Sequence, residues 1–141
     1  MRTVLLASVG LVFAASVAYA GPTGPCPATL TVDEPMQTAH GAPPGVTVSV
    51  EHKFKEVAFY VGDPKDNNGV PSDDDSEKPH QLDQHWVLTR EAGKPLMMVC
   101  KYHGTDKTII DTVPANISSC VLEGKMDAKG EILGSPTLTC K

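Results

Sequence analysis

Apolar and polar residues alternate with a period of two in eight short segments of the chain. The alternating runs are Ala28–Val32, Val46–Val50, Val57–Val61, His85–Thr89, Leu96–Tyr102, Lys107–Ile110, Ser119–Leu122 and Thr137–Cys140. Such alternation is typical of β-strands that bury one face. After residue 20, no stretch carries apolar residues at helical spacing over three turns. The sequence therefore predicts an all-β or β-rich fold, a small antiparallel sheet or sandwich of about six to eight short strands.

Residues that favour turns separate these runs. Gly, Pro, Asn and Asp are concentrated at residues 42–45, 62–64, 92–95, 103–106, 113–116 and 127–130, where each supplies a backbone geometry that a strand lacks. A helix stays open as an alternative at Asp33–Ala39 and at Ser76–Gln84, although neither segment combines a cap with a helical period.

The first twenty residues differ from the rest in their continuous apolar character. Arg2 precedes an apolar run from Val4 to Val17, and the small residues Ala18 and Ala20 flank Tyr19 at its end. A short apolar run before such a pair is typical of a cleaved secretory signal peptide and is too short for a spanning helix. We expect a signal peptide at 1–20 and one β-rich domain at 21–141, with no membrane association after cleavage.

The charge of that domain is negative. Loss of Arg2 lowers the 12 Lys and Arg to 11, against 17 Asp and Glu, which gives a formal charge of −6. A negative surface repels phosphate backbones and anionic lipid, and it attracts basic proteins. Nucleic acid is therefore excluded as the expected partner, and a basic protein is favoured.

Four cysteines, Cys26, Cys100, Cys120 and Cys140, lie after the predicted cleavage site. An even number in an exported domain indicates two disulfides, and a spacing of twenty residues or more is unlike the paired cysteines of zinc sites. If residues 96–123 formed a three-stranded meander, Cys100 and Cys120 would be ~9.6 Å apart, too far for a bond. We favour Cys26–Cys100 with Cys120–Cys140, and the other pairings stay open.

The longest irregular segment, residues 62–84, is acidic. It contains Asp73, Asp74 and Asp75, and its low apolar content favours a mobile loop. A calcium site at Asp63–Gly69 is disfavoured because Lys65 interrupts the alternating oxygen ligands. The nearby histidines His80, His85 and His103, with Asp83 or Asp106, are more simply solvated loop residues than a metal site or a catalytic triad.

Aromatic residues divide into core and surface candidates. Trp86 shares a face with Leu88 and is expected in the core. Phe59 and Tyr60 must face opposite sides of their strand, and Tyr60 is the predicted exposed contact. Together with Asp73, Asp74 and Asp75, it forms our candidate partner-contact set. No catalytic motif is present, so no catalytic residue, metal ligand or cofactor is predicted.

Several segments together resemble a known family. They are Cys26–Val32, the turn at 42–45, Val57–Tyr60 leading into Gly62–Pro64, the isolated Trp86, Cys100-x-Tyr102, and Val113-Pro114 before Cys120. This set is similar to small four-cysteine periplasmic proteins of Gram-negative bacteria that have no assigned activity, some encoded near type VI secretion genes. The resemblance implies a periplasmic immunity role and supplies no catalytic residue. The acidic segment is longer than the family pattern implies.

These observations lead to one expected function and one alternative. We expect a non-enzymatic periplasmic protein that binds another protein, as an inhibitor or immunity protein against a basic envelope toxin. The alternative is an envelope protein that uses the 62–84 segment to bind a small ligand or a metal ion.

Overall fold

A computed structural model describes residues 26–36, 45–74 and 79–141, and for Asp74 the backbone alone. These residues form nine β-strands and one short 3-10 turn at Pro64–Asp66. The predicted signal peptide and Asp75 lie outside the described residues. The strands are β1 (Thr29–Pro35), β2 (Thr47–Val61), β3 (Gly69–Val70), β4 (Asp73–Asp74), β5 (Gln81–Val87), β6 (Leu96–Tyr102), β7 (Thr108–Thr112), β8 (Ser119–Met126) and β9 (Ile132–Cys140).

The strands form two antiparallel sheets. The first has the order β1-β2-β6-β7, with β3 paired to the end of β2, and the second has the order β4-β5-β8-β9. The chain passes between the sheets three times, from β3 to β4, from β5 to β6 and from β7 to β8. The prediction of a β-rich antiparallel sandwich is confirmed. The described residues form nine strands, one more than the upper end of the predicted six to eight, and two of them, β3 and β4, have only two residues each.

Strand β2 replaces two predicted strands with one. All of Val57–Val61 and all of Val46–Val50 except Val46 lie in it, and the register with β6 shifts between Phe54 and Glu56. The inward positions are even-numbered up to Phe54 and odd-numbered from Val57 onward. A β-bulge adds one residue and so moves the following side chains to the other face. The bulge therefore keeps the inward residues of both apolar runs on the same side of the sheet.

The core lies between the two sheets. Phe59 of β2 meets Trp86 of β5 edge to face with the ring centroids 5.2 Å apart, a geometry that aromatic quadrupoles favour. Trp86 is 3% exposed, which confirms its predicted core position. The buried cluster consists of Phe54, Val57, Phe59, Val61, Trp86, Leu88, Leu96, Met98, Cys100, Tyr102, Val113, Ile117, Cys120 and Leu122.

Both disulfides stabilise this core. Cys26 is bonded to Cys100, and Cys120 is bonded to Cys140 directly across the β8–β9 ladder. This is the pairing that the sequence favoured, but the meander behind part of that reasoning was wrong. Residues 96–112 belong to the first sheet and β8 belongs to the second. Cys100 and Cys120 therefore lie in different sheets, and they are not two strand spacings apart within one sheet.

The segment at 62–84 is more regular than its composition suggests. It holds the 3-10 turn, β3, β4 and the start of β5. The carboxylate of Asp63 caps the turn by accepting from the backbone N–H of Lys65, and Asn67 follows in the left-handed conformation. The helical alternatives were wrong where they are described, since residues 33–35 and 81–84 are strand. Their backbone groups are better satisfied by neighbouring strands than by an uncapped helix.

Arg90 hydrogen-bonds to the segment that connects β7 and β8. Its guanidinium donates to the carbonyl oxygens of Val113, Pro114 and Ile117. Several donors in one rigid fork suit a group of converging carbonyls. This contact fixes the point at which the chain leaves one sheet for the other.

A candidate protein-binding face

The outer face of the first sheet carries a group of apolar side chains. Cross-strand neighbours share a face of a sheet, and the register places Ala58 of β2, Val99 of β6 and Ile110 of β7 in one row. The next row holds Tyr60, Met97 and Thr112. We call these six residues the outer face.

Strand β6 explains why this face is apolar. Leu96, Met98, Cys100 and Tyr102 point into the core, while Met97 and Val99 point away from it. Strands that are apolar on both sides are typical of sheets covered on both faces. The second sheet packs on the opposite side, where Phe59 meets Trp86, and Ile110 in the same row as Val99 is 51% exposed.

Burial is uneven across the face. Val99 is 4% exposed although it lies outside the core cluster. Tyr60 and Met97 are half-buried around it, and Ile110 stands clear at the edge. A well-packed centre with an aromatic residue and a methionine beside it is typical of protein interfaces.

One side of the face ends in an ion pair. Lys101 Nζ lies 2.8 Å from Glu56 Oε1, and the two residues are cross-strand neighbours of β6 and β2. The hydrogen bond to Glu56 raises the pKa of the Lys101 ammonium, and Tyr60 adds to the increase. Since both side chains are partly exposed, the pair contributes little stability and serves as a polar rim.

The predicted partner contacts fall on two different sheets. Tyr60 lies on the outer face of the first sheet and Phe59 beneath it is fully buried. Asp73 and Asp74 lie in β4 and pair with His85 and Gln84 of β5 in the second sheet. Asp73 is exposed, whereas the structure describes only the backbone of Asp74 and does not describe Asp75. Tyr60 and the acidic residues stay predictions as partner contacts.

The other sequence candidates do not form a site among the described residues. His80 and His103 are exposed and His85 is half-buried. Within the described ranges no group of three His, Cys, Asp or Glu side chains is arranged to hold a metal ion. The same part of the chain contains no helix long and apolar enough to cross a membrane.

One buried histidine escaped the sequence analysis. His52 is 6% exposed, and its Nδ1 lies 2.8 Å from the carbonyl oxygen of His103. A carbonyl only accepts, so Nδ1 carries the proton and donates. Nε2 lies 3.1 Å from Glu34 Oε1, outside hydrogen-bond geometry. The ring thus links β1, β2 and the turn after β6, which is a structural role.

Sequence analysis also missed Ala58, Met97, Val99 and Ile110 as candidate contacts. Each was interpreted as part of a strand with a single buried face. The available signal was the absence of strict alternation in Leu96–Cys100, where five consecutive residues are apolar. Residues 57–61 of β2 are also apolar without a break, and a strand that is apolar on both sides is typical of a sheet covered on both faces.

This arrangement is suited to binding another protein. The outer face offers apolar area, one aromatic side chain and one ion pair. Its rigidity comes from the β2–β6–β7 ladders and from the core beneath them. A preformed surface of this kind loses little conformational entropy when a partner docks.

Comparisons with known proteins bear on what that partner is. A family model described as type VI secretion system Tli immunity protein matches residues 48–141, which include most of β2 and every later strand. An uncharacterized 16.3 kDa protein in the trpG 5′ region of Azospirillum brasilense is 25% identical over 142 residues, covering 96% of this chain and 93% of that protein. No solved structure matches.

Proposed function

Because the chain belongs to the type VI secretion system Tli immunity protein family, we propose that it neutralises a toxin by binding it directly. Membership makes it an immunity or inhibitor protein, and such a protein acts on a toxin. The proposal adds that the neutralising step is stoichiometric and non-enzymatic. Family membership over residues 48–141 is the observation that carries it.

The outer face supports the binding step. It is the apolar outward surface of the first sheet, and all six residues that form it lie within the family match. Burial of an exposed isoleucine and of the half-buried tyrosine and methionine beside it releases ordered water and favours association. We assign Ala58, Tyr60, Met97, Val99 and Ile110 to the toxin contact.

Charge supports a basic partner. The whole chain carries a formal charge of −5, which becomes −6 without the predicted signal peptide. Long-range attraction raises the association rate of oppositely charged proteins and weakens as salt is added. The acidic residues Asp73, Asp74 and Asp75 would contribute to this attraction from the second sheet.

The two disulfides support a periplasmic location. All four cysteines are paired, and such bonds persist in oxidising compartments while the cytosol keeps thiols reduced. The predicted signal peptide at 1–20 would deliver the chain to that compartment. An immunity protein there would meet a toxin injected into the envelope before the toxin reaches its target.

Titration calorimetry with any type VI secretion toxin found to be encoded beside the gene for this chain tests the proposal. The purified, disulfide-bonded protein should bind that toxin at one to one, with a negative heat-capacity change from apolar burial. Its exported form should protect cells that receive the toxin in the periplasm, in proportion to its amount. Absence of binding in low salt, or protection by sub-stoichiometric amounts, would contradict a stoichiometric inhibitor.

A further inference from the structure

Strand β7 forms one edge of the first sheet, and its hydrogen-bonding directions follow from one contact. The N–H of Val113 donates to the carbonyl of Leu96 in β6. Backbone groups of successive residues in an antiparallel strand point to opposite sides. Ile109 and Asp111 therefore bond to β6, while the N–H and C=O groups of Thr108 and Ile110 point outward, away from every described strand.

Other edges of the two sheets are blunted more strongly. β9 contains Pro136 and β1 ends in Pro35, and the edge strands β3 and β4 have two residues each. Proline, short length and charge are the usual protections of an edge. On β7 one protection is present, since Asp111 Oδ1 accepts from the N–H of Thr112 at 2.8 Å. Thr108 and Ile110 lie before that point.

A small apolar cavity opens beside the same edge. It has a volume of about 40 Å³, and Asp111, Thr112 and Val113 of the first sheet and Leu138 and Cys140 of the second line it. One water needs about 10–15 Å³ on this measure, so the cavity accepts a few methyl-sized groups. Its walls are mostly apolar, and the Asp111 carboxylate lies at one side.

We propose that an extended segment of the toxin adds to β7 as a further strand of the first sheet. The inference rests on the proposed function, because it specifies how that partner is recognised. Main-chain bonds to Thr108 and Ile110 supply affinity, and alternate side chains of the added strand supply specificity. The side chain opposite Asp111 points inward and fills the cavity, and its neighbours lie beside Ile110 on the outer face.

The occupant is an aliphatic residue flanked by basic residues. The lining of the cavity favours an aliphatic side chain, while the net charge of −5 favours basic residues on either side of it. The same charge opposes a second copy of this chain at the edge, since two acidic protomers repel each other. The backbone of Ile110 would then hydrogen-bond to the added strand, while its side chain lies on the outer face.

Amide hydrogen exchange measured by NMR, with and without a toxin that this protein binds in calorimetry, tests the inference. The amides of Thr108 and Ile110 should exchange fast in the free protein and become protected in the complex. The amides of Ile109 and Asp111, already bonded to β6, should be protected in both states. These two amides provide the internal control for folding.

Proline substitution supplies an independent test with a matched control. Thr108→Pro removes an outward N–H and leaves the β6 ladder intact, whereas Thr108→Val keeps the N–H and nearly the same shape. Loss of one hydrogen bond should weaken toxin affinity about five- to tenfold in Thr108→Pro, with Thr108→Val within about twofold.

The outcomes separate the inference from the proposed function. If the toxin binds while the Ile110 amide stays fast and Thr108→Pro binds normally, strand addition is refuted and the immunity function stands. If the toxin does not bind at all, the proposed function fails first. Protection of Ile110 in the free protein, rising with its concentration, would assign the edge to a second copy and overturn the inference.

Discussion

The two disulfides close loops of different lengths, and their removal should therefore destabilise the protein to different extents. Cys26–Cys100 spans 74 residues of sequence and Cys120–Cys140 spans 20. The comparison is matched at the side-chain level. Cys100 and Cys120 are fully buried, and Cys26 and Cys140 are each partly buried against the core. Replacement of each pair by alanine thus removes similar packing.

Loop closure sets the magnitude of the difference. A cross-link lowers the entropy of the unfolded chain by an amount that grows with the logarithm of the loop length. This relation gives about 4.4 kcal/mol for the longer loop and about 3.3 kcal/mol for the shorter one at 25 °C. The Cys26→Ala/Cys100→Ala variant should therefore be less stable than Cys120→Ala/Cys140→Ala by about 1 kcal/mol.

Urea denaturation without reductant, followed by Trp86 fluorescence, measures both variants against the parent protein. In a thermal scan of the same variants, a difference of about 1 kcal/mol corresponds to a shift of roughly 4 °C in Tm for a domain of this size. Equal m-values would show that both variants unfold from comparable native states. If Cys120→Ala/Cys140→Ala proved the less stable of the two, the loop-closure explanation would be refuted.

Three further changes test particular contacts. Arg90→Ala should lower the free energy of unfolding by about 1 kcal/mol because three carbonyl oxygens lose their donor. An unchanged thermal midpoint would show that these hydrogen bonds do not stabilise the fold. Burial raises the pKa of the Tyr102 phenol, so the unfolded chain ionises first, near 10.0, and stability should fall as the pH rises above that value. Tyr102→Phe should lose this extra slope in urea titrations at alkaline pH; identical slopes would refute it. Deletion of Lys55 removes the extra residue of the bulge and should abolish folding by circular dichroism, whereas a glycine inserted beside Gly130 should be tolerated; a folded deletion variant would disprove the register argument.

The β-strands could be predicted because their signal is local. Strand β6 was predicted with its observed bounds, Leu96–Tyr102, since turn residues flank it on both sides. Strand β2 was divided in two because a bulge reverses the period of alternation in its middle. A pattern search for period two ends at such a reversal, although the backbone continues.

The assignment of strands to sheets could not be predicted in the same way. Residues 96–123 were interpreted as a meander because consecutive strands usually pair. The chain instead crosses to the second sheet after β7, and Arg90 secures that crossing from a position 23 to 27 residues earlier. Contacts of this range leave no periodic signal in the sequence.

The candidate site was only partly within reach of the sequence. Tyr60 was predicted as the exposed contact because it and Phe59 must face opposite sides of their strand; Phe59 is in the core and Tyr60 is half-buried on the outer face. Its companions Met97, Val99 and Ile110 come from two other strands, and only the register aligns them into one face. An apolar surface assembled across strands becomes visible once the pairing is known.

One paired substitution tests the central claim, that the outer face of the first sheet binds the toxin. Ile110→Asp places a carboxylate on that face, and Val87→Asp makes the same change at a valine of β5 in the second sheet, which is 58% exposed against 51% for Ile110. Both variants should fold, since neither side chain is buried. Toxin titration calorimetry should give at least a hundredfold loss of affinity for Ile110→Asp, about 2.7 kcal/mol, and wild-type affinity for Val87→Asp. Wild-type binding by Ile110→Asp, or an equal loss in both variants, would contradict the account.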